Sequence, residues 1–150
     1  VMILVAAATR FAWFLTVARI PQMVTAAIIE NIKTPWAFIA MVNVILLIVG
    51  MFMEGIAAIV ILAPLFFPIA QQMGIDPLHL GIIMVSNLAL GNFTPPFGLN
   101  LFVAAGVTGL PMSKIIGAVT KFIIVSIVGL LVISYVPALS TFLPALVYGR

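Results

Sequence analysis

Between Gly91 and Gly98 the chain reads Gly-Asn-Phe-Thr-Pro-Pro-Phe-Gly, set inside an otherwise apolar stretch. Proline bars the residue before it from the helical region, so Thr94 and Pro95 are driven toward extended geometry. Pro95 and Pro96 also lack N–H groups. In an uninterrupted helix those donors would serve the carbonyls of Gly91 and Asn92. Both carbonyls are therefore expected to be released in an apolar region, where an unpaired backbone group is costly. Freed carbonyls and the Thr94 hydroxyl suit a hard, oxygen-seeking cation such as Na⁺. Gly91 and Thr94 are the main candidate ligands, with Asn92 and Pro95 beside them. Beyond the break, a helix starting near Gly98 would present N–H groups and its positive dipole end, which suits a carboxylate. Pro96, Gly98 and Asn100 are thus candidate substrate contacts, joined by Asn87 one turn before Gly91. The flanking glycines would let backbone approach a ligand closely. Broken helices that serve a cation and an anion recur in transporters. A proline kink filled by neighbouring helices is the plainer alternative.

The elements that position this motif follow from the bilayer's thickness, about 30 Å, which takes about 20 helical residues to cross. Val1 to Ala18 approaches that length but carries Arg10 at its middle, facing an aqueous cavity or snorkelling to an interface. Ile20-Pro21 breaks it, and Gln22 to Lys33 reads as an interfacial stretch. Trp36 to Gly50 and Ile56 to Ala70, the latter with Pro64 and Pro68, are apolar but short, roughly 22 Å each. They are expected to form a re-entrant hairpin with its tip at Gly50 to Gly55, a geometry tolerated only inside protein or against a wet cavity. Asp76-Pro77 makes a helix start, with Asp as N-cap and Pro pre-set at the first position. That helix stops at Gly91, and Leu99 to Leu110 follows the break. Ile115 to Tyr135 is a full span, and Val136 to Arg150 a tail on or in the interface. The organisation is a membrane helix and connector over 1–35, a hairpin over 36–70 with a broken helix over 77–110, and a last helix and tail over 111–150. A first residue of Val suggests a piece of a longer polypeptide.

Of the 150 residues, 65% are hydrophobic and only 6% charged, far below the quarter typical of soluble domains. Too few polar side chains exist to cover a water-facing surface, so the fold class is an all-α integral membrane protein. The net charge of +3 comes from residues near the ends of apolar runs, a membrane-flanking pattern, and no nucleic-acid partner is expected. Without cysteine and with a single histidine, neither a thiolate metal site nor a nucleophile–base pair can be assembled. No enzyme and no cofactor are expected. At the hairpin tip, Gly50 and Glu54 are further ion-site candidates. Glu54 is either a coupling carboxylate or the N-cap of the second limb, the adjoining turn favouring the cap. Asn43 and Ser86 are expected to bond between helices, and His79 to lie exposed at the interface.

The run from Gly50 through Glu54, Ala63-Pro64-Leu-Phe-Phe-Pro68-Ile-Ala70, Gly74-Ile-Asp76-Pro77 and Gly91-Asn-Phe-Thr-Pro-Pro-Phe-Gly98-Leu-Asn100 resembles the large membrane subunit of TRAP transporters. Ala12-Trp13-Phe14-Leu15-Thr16, Ile20-Pro21 and Val136-Pro137 fit the same family, so the likeness covers nearly the whole chain. The resemblance implies a sodium-driven symporter of C4-dicarboxylates, sialic acids or related carboxylates, with Na⁺ as coupling ion, in the bacterial inner membrane. It implies two protein partners, a small membrane subunit and a periplasmic substrate-binding protein. It further implies an elevator-type fold of two inverted repeats, of which this chain holds the second. The first, with its Gly-Ser-Ser hairpin tip, would lie outside it. A binding-protein-independent carboxylate carrier of the wider superfamily and a non-catalytic assembly subunit are the alternative readings.

Overall fold

A computed structural model describes residues 34–148 together with Phe14, Val17 and Ile32, the side chain of Tyr148 excepted. The expectations for Arg10, for a first span over 1–18 and for an interfacial stretch over 22–33 fall outside the described residues. Six helices follow Thr34: α1 (Pro35–Phe52), α2 (Gly55–Gln72), α3 (Pro77–Gly91), α4 (Leu99–Thr108), α5 (Met112–Tyr135) and α6 (Pro137–Tyr148).

On α1, Phe38, Val42, Leu46 and Gly50 recur every fourth residue and are all buried, which places them in one stripe along the helix. They pack on Leu80, Ile83, Met84 and Leu88 of α3, and Phe66 and Ile69 of α2 close the core. Phe38 and Phe66 meet edge to face with ring centroids 6.3 Å apart. Much of the outer surface is apolar as well. On α5 Phe122, Val125 and Val128 are mostly exposed, as are Phe142, Leu143 and Leu146 on α6. Such a surface belongs in lipid or against other membrane helices. By length and composition α1, α2 and α5 can each cross a membrane.

The hairpin limbs are longer than expected. Both have 18 residues, about 27 Å, because Pro35, Met51 and Phe52 extend α1 while Gly55, Gln71 and Gln72 extend α2. The turn between them is only Met53-Glu54. Similarly, α4 stops at Thr108, closed by Gly109 in the left-handed region with its N–H on the Ala105 carbonyl, and α5 starts three residues early, at Met112. The C-terminal tail is helical through Pro144.

Side-chain contacts fix the relative directions. Trp36 at the start of α1 stacks on Tyr135 at the end of α5, with centroids 5.3 Å apart. His79, near the start of α3, bonds the Ser134 carbonyl at that same end. At their other ends α1 and α3 meet through Gly50 and Gly91. The two helices therefore run parallel and in contact, α2 runs back antiparallel to α1, and the hairpin tip arrives beside the α3–α4 break. Helix α5 packs along both α3 and α4, so the break lies part-way along the 24-residue α5.

Candidate functional site

Proline chemistry stops α3 where the sequence indicates, and the break then folds back on itself. The Thr94 N–H donates to the Gly91 carbonyl at 3.0 Å, and the Asn100 N–H, from α4, donates to the Asn92 carbonyl at 2.9 Å. The two carbonyls deprived of proline donors thus find others, contrary to the expectation that they are simply released. Each retains one lone pair, since a carbonyl oxygen carries two. The Gly98 N–H closes the loop onto the Thr94 carbonyl at 3.1 Å.

The side chains of the break differ from its backbone. Thr94 is buried, and its hydroxyl donates to the Leu90 carbonyl at 2.7 Å. With its proton so directed, the Thr94 oxygen has its lone pairs turned away from that bond. Asn92 Oδ1 is buried and has no hydrogen-bond partner among the described residues. A buried polar atom without a partner costs about 1–3 kcal/mol, which singles out Asn92 among the residues of the break. Thr94 Oγ1, Asn92 Oδ1 and the Gly91 carbonyl are neutral oxygens carried within four residues of one another at the break. Pro95 is half-buried beside them.

The glycines serve protein contacts. A Cβ on Gly91 would lie 2.6 Å from the Gly50 carbonyl carbon and 2.7 Å from its Cα, so α1 and α3 touch backbone to backbone. A Cβ on Gly98 would meet the Asn92 carbonyl oxygen at 2.8 Å and the Thr94 nitrogen at 2.9 Å. The close approach expected toward a ligand is thus made at both positions to protein backbone. Gly50 is tied to the break through α3, and Phe52 reaches it directly, its ring 4.7 Å from that of Phe97.

Glu54 is exposed and caps α2, accepting from Ile56 N at 3.1 Å and Ala57 N at 3.2 Å. Both carboxylate oxygens are engaged by the helix, the capping alternative of the two the sequence leaves open. On the carboxylate side, Pro96 and Asn100 are exposed at the start of α4. The α4 N-terminus offers fewer free donors than its dipole suggests, because Asn100 N serves the Asn92 carbonyl and Leu101 N the Gly98 carbonyl.

Asn87 lies away from this opening. It is fully buried, and its Nδ2 donates to Asn43 Oδ1 at 2.6 Å and to the Ile83 carbonyl at 2.9 Å. Asn43 bonds between helices as expected, also accepting from Ser134 Oγ at 3.1 Å. His79 corrects the sequence reading: it is buried at 2% exposure, not exposed at an interface. Its Nε2 faces the Ser134 carbonyl at 3.1 Å and its Nδ1 faces Ser140 Oγ at 3.0 Å. No short-range signal marks this, since its partners come from α5 and α6, more than fifty residues away in the chain.

Residues 1–139 match the family model described as "Tripartite ATP-independent periplasmic transporter, DctM component". The C4-dicarboxylate TRAP transporter large permease protein of Pseudomonas aeruginosa is 49% identical over 95% of this chain and 34% of its own length. A putative dicarboxylate transporter subunit of Paracoccus pantotrophus is 39% identical over the whole chain and 71% of its own length. The sialic acid TRAP transporter large permease protein of Vibrio cholerae is 30% identical over 99% of the chain and 35% of its own length. The chain spans about a third of the length of most curated relatives it matches. Its apolar helices and this kinship make it a protein of the bacterial inner membrane. It belongs to the DctM-component family of tripartite ATP-independent periplasmic transporters.

Proposed function

We propose that this chain forms one half of the ion and substrate site in the large permease subunit of a sodium-coupled carboxylate transporter. The observation that carries the reading is the buried oxygen set of the break, above all Asn92 Oδ1 with no partner among the described residues. Thr94 and Asn92 supply side-chain oxygens, and Gly91 a carbonyl. Na⁺ is the cation, because a neutral set of amide, hydroxyl and carbonyl oxygens can hold a monovalent ion while lacking the carboxylates that dominate Ca²⁺ sites. Exposed Pro96 and Asn100 at the start of α4 face the organic acid. Gly98 acts indirectly, by letting the loop close.

The hairpin of α1 and α2 is re-entrant in this reading. Its support is the position of the tip beside a break that lies part-way along α5, not the length of its limbs. Met53 then sits at depth packed on the core, while the exposed Glu54 faces the rest of the permease or a wet cavity, as backbone interruptions in a membrane require. The hairpin and broken helix form the second of two inverted repeats, and the complementary repeat belongs to the rest of the permease. A small membrane subunit and a periplasmic binding protein complete the system, and relatives named for C4-dicarboxylate and sialic acid support small carboxylates as the substrate class. Uptake of labelled succinate and sialic acid by proteoliposomes holding the full-length permease with both partner proteins tests this. Uptake of one of these acids that requires inward Na⁺ and the binding protein is the expected result. Uptake of neither, or uptake indifferent to Na⁺, contradicts it.

A further inference from the structure

Helix α5 carries two lysines whose charge no described acid offsets. Lys114 and Lys121 stand seven residues apart, a separation that keeps side chains in one stripe of a helix, with about 20° of drift. By helical geometry this stripe lies opposite Ile115, Ile123, Leu130 and Ser134, the buried residues through which α5 packs on its neighbours. Both lysines are exposed. From Pro77 to Arg150 the sequence holds no acidic residue. The described acids, Glu54 and Asp76, are engaged as the caps of α2 and α3. Between the lysines Gly117 leaves a gap in the side-chain surface, since a Cβ there would meet nothing within 4 Å. Beyond Lys121 the outward side turns apolar, with Phe122, Val125 and Val128 exposed.

Depth gives this pattern its meaning. The stacked Trp36 and Tyr135 mark one membrane boundary, as interfacial aromatics do. From Tyr135 back to Lys114 is about 31 Å along α5, close to the thickness of the hydrocarbon core. Lys114 then lies at the opposite boundary and Lys121 about 9 Å inside it. Helical side chains lean toward the N-terminus, which for α5 is the Lys114 end. A lysine stem of about 6 Å therefore carries the Lys121 ammonium most of the way to the boundary and toward Lys114. We propose that Lys114 and Lys121 together bind the phosphate headgroup of an anionic phospholipid, whose acyl chains lie along Phe122, Val125 and Val128. A phosphate at the boundary offers oxygens to both ammonium groups at once. A carboxylate on a neighbouring helix, level with the Lys121 backbone, would meet one lysine only and would itself be buried in hydrocarbon.

The test is native mass spectrometry of the full-length transporter complex, stripped of lipid in a neutral detergent. It is titrated with phosphatidylglycerol, with phosphatidylcholine of the same chains, or with inorganic phosphate. Phosphatidylglycerol should be retained about tenfold or more better than phosphatidylcholine, and inorganic phosphate, lacking acyl chains, should not be retained. The Lys114→Gln/Lys121→Gln variant should lose one bound phosphatidylglycerol, and Lys114→Arg/Lys121→Arg should keep it. Equal retention of the two lipids, or an unchanged count in the glutamine variant, overturns the proposal. Retention of inorganic phosphate overturns the lipid assignment in favour of a soluble anion. In the unaltered complex, phosphatidylglycerol with a photoreactive headgroup should label the segment Met112–Val125, a readout that needs no variant to fold. Labelling confined to other segments contradicts the proposal. A zero-length carbodiimide cross-link from Lys121 to a carboxyl of another helix contradicts it too, and makes this face a protein contact.

Discussion

The hairpin tip and the α3–α4 break interrupt helices at the same level of the molecule and resolve the problem in opposite ways. At the tip, two residues suffice, and the charged Glu54 side chain closes onto Ile56 N and Ala57 N while remaining exposed. At the break, seven residues separate α3 from α4. The backbone pairs with itself, and a neutral side-chain oxygen, Asn92 Oδ1, is left buried without a partner among the described residues. One interruption has both its side-chain acceptors engaged; the other keeps an acceptor open. In the proposed function the tip shapes the site and the break supplies its ligands.

The largest effect that would break this comparison is expected where the two regions touch. Gly91→Ala puts a Cβ into the Gly50 backbone at 2.6 Å. Backbone cannot step aside as a flexible side chain can, so we expect destabilisation of about 1–3 kcal/mol or more, read as a lower unfolding midpoint in detergent. Gly50→Ala, whose Cβ would sit at 3.1–3.2 Å from Leu88 and Gly91 atoms, should cost less. Equal tolerance of alanine at both positions would mean that the tip and the break are not in backbone contact.

Gly98→Ala comes next, and it acts within the break alone. Its Cβ would press on the Asn92 carbonyl and the Thr94 nitrogen, so the loop must open. Both the Na⁺ and the carboxylate dependence of uptake should worsen together, since one distortion moves both sides. A change confined to the carboxylate would instead place Gly98 against the substrate.

Glu54→Gln gives the smallest change. The amide can still accept one N–H, and loss of the charge at the α2 N-terminus costs about 0.3–1 kcal/mol. Sodium-driven uptake should be nearly retained. Its abolition in a folded variant would make the tip a ligand-bearing region and erase the contrast with the break.

The parts of this arrangement legible in the sequence are those dictated locally. Pro95 and Pro96 end a helix wherever they stand, and Asp76 and Glu54 cap by chemistry that reaches only two or three residues ahead, to Leu78 and His79 or to Ile56 and Ala57. What the residues alone could not supply was the partner of each unusual side chain. The glycine pattern signalled a close approach without saying to what, and Gly91 turned out to face Gly50 from forty residues earlier. His79 looked like an interfacial residue because Ser134 and Ser140, which bury it, are distant in the chain. The limbs read as short because their bounds follow the apolar runs between glycine and polar residues, whereas Met51, Gln71 and Gln72 are good helix formers and carry the helices on. The Asn92 carbonyl found Asn100 N across the loop, a pairing set by how α4 restarts.

The central claim is that Asn92 and Thr94 present their oxygens to Na⁺, and it is tested most directly by Na⁺ titration of uptake in the full-length complex. Thr94→Val keeps the shape and removes the hydroxyl, and Asn92→Leu removes the unpartnered oxygen. The concentration for half-maximal uptake should rise about tenfold or more in each, corresponding to at least about 1.4 kcal/mol of lost ion binding. Binding-protein affinity should stay unchanged. An unaltered Na⁺ dependence in both folded variants would contradict the account and leave the break as a structural kink.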